Sequence, residues 1–591
     1  MMNPSTQLPD TLGINYYEAD QNLSFLLRQY VDVDSFEQLE PLLQQLGRVA
    51  SEEIDPLASV ADKHPPVLQT YNRRGERVNE VSYHPAYLEL ERIGYSQFGM
   101  SAMTHRAGVM GRNQPFKKIE KYALWTLFAQ GEFGLCCPMS MTDAAATVLT
   151  NYANKEMKEK YVPRLTSTSM DDLFTAGQFM TEKHGGSDVG ENTVSAKLKG
   201  DHFEIYGDKW FCSNVSGDVA LVLARPEGAP EGSKGLAMFL VPKYLEDGTH
   251  NHYTILRLKD KLGTKDMASG EINFHGAIGY VVGSIENGFK QMMSMVNASR
   301  LSNAVRSTGI MRRSFLEAIE TAKEREAFGG KLIDLPMMQE NLVEMQLDVE
   351  AAQAMILYTA HQFDENDQNV EGAKEMMRIL TPILKGYICK RARYVSAEAM
   401  EVRGGNGYIE EWVNPRLVRD AHLGSIWEGT TNIVALDVIR AMRKEQAGEV
   451  LLSRLRQTLT SLSESSELFT MAQSAVDAQI THVESVMQDV VKSTDRDVDA
   501  FARHFLELLY HTTVLVRFLE EAAVELKESK SYRKLYVFFQ YYRRYLSHEP
   551  RSIQDARSTA AVSKRMLLWQ PIFLEDVEGY GRYVLKQAVT M

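Results

Sequence analysis

Gly404-Gly405-Asn406-Gly407-Tyr408, then Arg419-Asp420, then Ile426-Trp427-Glu428-Gly429-Thr430-Thr431-Asn432-Ile433 is the stretch whose reading decides the fold. It interrupts a long run of helical periodicity, in which apolar residues recur at helix spacing through Gln291 to Glu326, Met337 to Asp364, Glu371 to Arg403 and Thr430 to Lys444. That pattern predicts a bundle whose helices bury one face each. In the interruption an acidic residue, Glu428, stands between Trp427 and Gly429, with Thr430 and Asn432 placed to cap the helix that follows. A carboxylate flanked by bulky apolar groups is partly desolvated, which raises its pKa and makes it a better base. The plainer reading is that Glu428 only caps or solvates the helix start.

Upstream of the bundle the character differs. From His84 to Leu165 the pattern is again helical, but at Phe174 it changes. Val194 to Leu198, His202 to Tyr206, Val219 to Ala224, Leu236 to Val241 and Glu271 to Phe274 are short, apolar or alternating, and separated by Gly, Asp, Pro and Asn clusters. This predicts an antiparallel β unit inserted in a helical protein. The resulting order is an N-terminal extension (1–65), a helical domain (66–175), a β domain (176–285), a helical bundle (286–445) and a C-terminal helical extension (446–591).

Two β segments and one helix end carry candidate chemistry. Gln178-Phe179-Met180-Thr181-Glu182-Lys183-His184-Gly185-Gly186-Ser187-Asp188-Val189 runs a strand into a Gly-Gly-Ser turn, whose backbone N–H groups and hydroxyl suit an anion; an ordinary hairpin loop explains it equally well. Lys209-Trp210-Phe211-Cys212-Ser213-Asn214 sets an aromatic beside a small hydroxyl, enough to cover a flat heterocycle, though such a strand is more often core. Arg325-Glu326-Ala327-Phe328-Gly329 ends a long helix, and the guanidinium of Arg325 matches phosphate oxygens, or merely closes that helix.

Composition bounds these readings. A chain of 591 residues exceeds one ordinary core, and 44% hydrophobic with 24% charged residues is globular composition. The net charge of -13 argues against a surface built to lie on phosphate backbones. Four cysteines, Cys136, Cys137, Cys212 and Cys389, without a CxxC pair, give neither a disulfide framework nor a zinc site, so no metal is expected. Met1 to Gly13 has no Lys or Arg and no apolar run approaches the length that spans a bilayer, so a cytoplasmic protein is expected.

The five segments, in this order and at this spacing, resemble the acyl-CoA dehydrogenase family over roughly residues 80 to 445. Within it the chain is most similar to the AidB-type branch, through Met180 to Val189, the run Arg257-Leu258-Lys259-Asp260-Lys261-Leu262-Gly263, and Tyr83-His84-Pro85-Ala86. The resemblance implies an N-terminal helical domain, a middle β domain and a four-helix bundle, with FAD between β domain and bundle. By position, Gln178, Met180, Thr181, Gly186 and Ser187 would contact flavin and pyrophosphate, and Phe211 and Ser213 would border the isoalloxazine. Arg325, Phe328, Glu401 and Gly405 would reach the adenine diphosphate half from a neighbouring subunit. Thr430 and Asn432 would complete the site.

Glu428 matches the family's usual catalytic base; the alternative position is occupied by Ser299, which is no carboxylate. Ser187, Arg300, Trp427 and Gly429 would face the substrate. Glu401 stands where the family has a glutamine, and Pro336 where many members have Gln. The implied activity is dehydrogenation of a fatty acyl-CoA to the trans-2-enoyl thioester, with an electron-transfer flavoprotein or other acceptor and a homotetramer or dimer as partners. The alternatives are a DNA-associated protective flavoprotein and an acyl-CoA-sequestering protein with little turnover.

The extension contains a tract from Lys527 to Arg565 rich in cations (Lys527, Lys530, Arg533, Lys534, Arg543, Arg544, Arg551, Arg557, Lys564, Arg565) interleaved with Tyr and Phe. Basic plus aromatic suits nucleic acid or a membrane surface. Tyr532, Leu535, Tyr536, Phe539 and Tyr542 form one stripe and Phe538, Tyr541 and Tyr545 another, so a helix buried between neighbours is the favoured reading.

Overall fold

The computed structural model describes residues 8–463, 466–547 and 552–588. It is a mainly helical chain with an inserted β domain. Contacts divide it into two units: one of residues 42–306 and 426–429, the other of residues 1–41, 307–425 and 430–591. Among the described residues no helix is long and apolar enough to cross a membrane.

In the first unit, hydrogen bonding passes from strand Val219–Pro226 to Ser195–Lys199, His202–Ser213, Ser269–Val281 and Ala237–Pro242, and returns to Val219–Pro226. Ala176–Phe179 and Tyr253–Leu258 attach outside this ring. Most pairings are antiparallel, as the short, turn-separated segments predict; Val219–Pro226 differs, since it pairs in parallel with both Ala176–Phe179 and Ser195–Lys199. Long excursions separate these partners in the chain, which parallel pairing requires and local alternation does not reveal.

The apolar runs have a simple cause. Val219, Leu221 and Leu223 point into a cluster with Ala145, Leu149 and Leu165 of the neighbouring helices, while Ala220, Val222 and Ala224 join Phe203, Ile205 and Phe239 on the other face. The strand is buried on both faces, so it reads as continuous rather than alternating. Helices Lys118–Gly131 and Cys136–Tyr152 are buried almost throughout. The hairpin Val67–Tyr71 with Arg77–Ser82 was not legible, because its residues are half-exposed and carry no clean alternation.

The second unit is helical. Ala373–Arg403 packs against Pro336–Asp367, Thr431–Glu445 and Asp495–Ser529. The C-terminal residues are therefore part of the same core as the bundle. Helix Arg533–Tyr545 is buried on nearly every side, including Arg533 and Lys534. Its cations are paired internally: Arg533 with Glu350, Lys534 with Glu350 and Glu521, Arg543 with Asp555, and Arg544 with Glu340 and Glu344. Lys564 pairs with Asp334 and Arg565 with Asp576. Lys527, Lys530 and Arg557 stay exposed, while Arg551 lies outside the described residues. Helix Arg533–Tyr545 is thus a buried helix whose cations are paired, as its two stripes indicate. All four cysteines are buried thiols.

Candidate functional site

Glu428 lies in the first unit with φ 58°, and Gly429 follows at φ 97°. The left-handed region strains an L residue by about 1 to 2 kcal/mol, which a surrounding structure must hold in place. Arg300, buried on the helix Gly288–Glu324, supplies part of that hold by donating from Nε to the Glu428 carbonyl at 3.0 Å. Its Nη1 also donates to Asn297 Oδ1 at 3.3 Å. The Glu428 side chain is 16% exposed, open enough to meet a ligand.

Two residues absent from the sequence reading shape its surroundings. Arg306, on the same helix and fully buried, places Nη2 3.6 Å from Glu428 Oε1. Its guanidinium carbon is 4.8 Å from the centroid of the Trp427 ring and 5.6 Å from that of Phe133, and these two rings stack with centroids 6.0 Å apart. The carboxylate is therefore not simply surrounded by apolar groups, because Trp427 brings a guanidinium with it. A sequence signal existed: Ser299, Asn303 and Arg306 recur at spacings of four and three, a polar stripe on a helix that is otherwise buried. Nearby, burial pushes the Cys137 thiol up to about 11, partly offset by Arg306, and pushes Cys136 well above its usual value. Neither thiol is a nucleophile at neutral pH.

The β segments of the first unit come together as a cradle. Trp210 N donates to Thr181 O at 2.9 Å, joining the two motifs. Lys209 Nζ donates to Met180 O at 3.0 Å and to Glu182 Oε1 at 2.8 Å, a fully buried pair that the sequence reading missed. Glu182 also accepts from Thr193 N, Thr193 Oγ1 and Val194 N, and Lys209 with these donors holds its carboxyl below the usual value against the opposing effect of burial. This anchor fixes the start of the Gly-Gly-Ser loop. A Cβ on Gly186 would fall 2.4 Å from Thr181 Oγ1, so the loop folds back tightly on the strand end.

Gln178 Nε2 faces the sulfurs of Met180 and Met292 at 3.1 and 3.4 Å, and Ser187 is exposed. Phe211 is 56% exposed, with Lys259 over its ring at 5.0 Å, and Ser213 Oγ is 3.3 Å from Ser269 Oγ. An exposed aromatic face beside hydroxyls and a close-packed glycine turn fits a flat heterocycle carrying phosphate.

In the second unit the remaining candidates are outward-facing. Arg325 Nη1 donates to Arg403 O at 3.2 Å, which ties the helix end to the glycine turn. Phe328 is 95% exposed at φ 54°, and Glu401 is exposed. Gly405 has open space where a Cβ would stand, whereas Gly407 abuts the Met400 carbonyl. Thr430 occupies the N-cap of helix Thr431–Glu445 without a side-chain capping bond, and Asn432 is exposed in the first turn. The capping expected of Thr430 is thus not made, and the amide groups of that turn stay available to a ligand.

Comparisons with known proteins match three family models. The adaptive response protein AidB N-terminal domain covers residues 6–172, the acyl-CoA dehydrogenase middle domain 177–277, and the acyl-CoA dehydrogenase C-terminal domain 286–443. The chain is 30% identical over 531 residues to acyl-CoA dehydrogenase family member 11 of Caenorhabditis elegans, covering 86% of this chain and 85% of that one. It is 37% identical over 422 residues to the putative acyl-CoA dehydrogenase AidB of Escherichia coli, covering 69% and 74%. The crystal structure of Caenorhabditis elegans ACDH-11 in complex with C11-CoA superposes with a TM-score of 0.83 at 28% identity, covering 97% of this chain and 94% of that one.

Proposed function

Since this chain belongs to the acyl-CoA dehydrogenase family, a family of flavin-dependent oxidoreductases, we propose that it oxidises a fatty acyl-CoA to the trans-2-enoyl thioester with Glu428 as the base. The observation that carries this is the Glu428 turn: a strained carboxylate-bearing residue, pinned through its carbonyl by buried Arg300 and left with its side chain partly open. Strain persists where function uses it. The C11-CoA in the structure of the Caenorhabditis elegans relative supports a thioester ligand.

The cofactor of this reading is FAD. Gln178, Met180, Thr181, Gly186, Ser187, Phe211 and Ser213 of the first unit would hold it; Thr430 and Asn432 carry the same assignment only through the family resemblance. Arg325, Phe328, Glu401 and Gly405 would serve a neighbouring copy in a homotetramer or dimer; their outward-facing positions support that role. The chemistry it would supply when bound is acceptance of the hydride that leaves the substrate β carbon, whose two electrons would pass on to an electron-transfer flavoprotein or other acceptor. The chain's own part is to take the α proton on a Glu428 oxygen, from a carbon held about 3 to 3.5 Å away. Trp427 and Phe133 wall that space and exclude water. Arg300 keeps the Glu428 backbone in place, and the Glu428 N–H is a donor for the charge that builds on the thioester oxygen.

A second reading, acyl-CoA holding with little turnover, is favoured by one observation, the guanidinium of Arg306 competing for the base. Anaerobic addition of acyl-CoAs of graded length to the yellow protein separates the two. Dehydrogenation bleaches the flavin within the turnover time, and Glu428→Gln stays yellow with bleaching slowed about 100- to 10,000-fold. Full bleaching in that variant places the base elsewhere; tight binding without bleaching in the wild type establishes holding.

A further inference from the structure

Arg306 has more donors than the fold uses. Its Nε donates to Ser302 O at 3.2 Å, but neither Nη1 nor Nη2 has an oxygen acceptor, although the residue is fully buried. The distance of 3.6 Å from Nη2 to Glu428 Oε1 counters its charge without making a hydrogen bond. The same surroundings hold other unmet polar atoms, Trp427 Nε1, Ser299 Oγ and Ser302 Oγ. The Cys137 sulfur is a side-chain hydrogen-bond partner of Arg306, yet burial keeps that thiol protonated, and a thiol is a weak acceptor. Burying donors without acceptors is costly, and native structures keep such groups mainly where something else completes them.

We propose that Arg306 is a specificity-determining residue: beside Glu428 it receives an uncharged oxygen of the acyl chain, so the preferred thioester carries a hydroxyl, carbonyl, ether or amide oxygen and not a plain hydrocarbon chain. The inference rests on the assignment of Glu428 as the base that faces the substrate. Two facts choose the chemistry. The free groups of Arg306 are N–H donors only, so the ligand atom is an acceptor. The charge of Arg306 is already opposed by Glu428, so a ligand carboxylate would bring a second negative charge into one small buried space, whereas a neutral oxygen would not. The acceptor lies within about 10 Å of the carbon that loses its proton, given the reach from that carbon through Glu428 to the guanidinium.

The test compares 4-hydroxybutanoyl-, 6-hydroxyhexanoyl- and 8-hydroxyoctanoyl-CoA with the plain thioesters of the same length, and adipyl-CoA with hexanoyl-CoA. The holoenzyme is read in two ways: kcat/KM for flavin bleaching, and calorimetric Kd for the matching trans-2-enoyl thioesters, which retain no hydride to give. At one chain length or more the wild type favours the hydroxylated ligand by about 10- to 100-fold, the worth of a hydrogen bond to a charged group. Arg306→Met brings the ratio of Kd values for the hydroxylated and plain enoyl thioesters to about one, and Arg306→Lys restores part of the preference. A wild type that prefers plain chains at every length, or prefers adipyl-CoA, overturns the proposal, as does an Arg306→Met that weakens all ligands equally. Failure of the dehydrogenase reading shows separately, as thioesters that bind with the hydroxyl preference but never bleach the flavin.

Discussion

Arg306 and Glu428 form a thermodynamic pair whose strength can be measured apart from any reaction. Take Arg306→Met, Glu428→Gln and the double variant. At 3.6 Å, with an effective dielectric of about 20, two unit charges attract by about 5 kcal/mol. No hydrogen bond reinforces this pair, and removing one member of a buried pair costs about 3 to 5 kcal/mol, mostly the burial of the charge left behind. A coupling of about 3 kcal/mol follows. Each single variant strands a charge, so each is destabilised, but the double variant strands none and is no less stable than either single. Unfolding of a cofactor-loaded, two-unit chain is not two-state, so the readout is the melting temperature of the four FAD-free proteins. At about 2 °C per kcal/mol for a unit of this size, the double variant melts roughly 6 °C above the additive expectation. The shift persists at high salt because the pair is buried. Additive melting shifts, with a coupling under about 0.5 kcal/mol, would refute the electrostatic account of this turn.

Two other ionisable groups make independent predictions. Burial, reinforced by nearby Asp218, raises Glu91 from the ordinary 4.5 to about 7. The folded state therefore holds this proton more tightly than the unfolded state, and stability falls as pH rises from about 4.5 through about 7. Glu91→Gln removes a penalty of at most about 3 kcal/mol at pH 8 and nothing near pH 4.5. Parallel melting-temperature profiles for wild type and variant across that range would contradict this. Lys534 joins Glu350 at 2.8 Å, Glu521 at 2.6 Å and the side chain of Asn22, whereas Glu350 keeps Arg533 at 2.5 Å without it. Lys534→Met should cost about 3 kcal/mol or more and speed limited proteolysis around Asn22; a variant that melts within about 1 °C of wild type disproves the keystone role.

Much of the fold was legible because its signals are local. The strands Val219–Pro226 and Ala237–Pro242 announce themselves as apolar runs between turn residues, and Pro336–Asp367 and Ala373–Arg403 by their periodicity. The hairpin of 67–71 and 77–82 was not, since its inward positions mix Leu68, Val78 and Val81 with Thr70 and Asn79 and give no clean alternation. The buried character of Arg533–Tyr545 could be read from its two stripes, but the acids that neutralise it lie on other helices, Glu521 on the one just before it and Glu350 on one 184 residues upstream of Lys534.

The site divides in the same way. Glu428, the Gly-Gly-Ser loop and the glycine turn at Gly404 to Gly407 are readable because side-chain type and order along the chain mark them. By itself the sequence determined the helical and β periods, the order of the motifs and the family they resemble. Tertiary structure alone decided that Arg300 grips the carbonyl of Glu428, that Lys209 neutralises Glu182 inside the β domain, and that Arg306 stands beside two stacked aromatic rings with unmet donors next to the base. The physical reason is range: periodicity and turn chemistry act between residues a few positions apart, whereas burial and the partner of a buried charge depend on which distant segments the packed chain brings within a few ångströms.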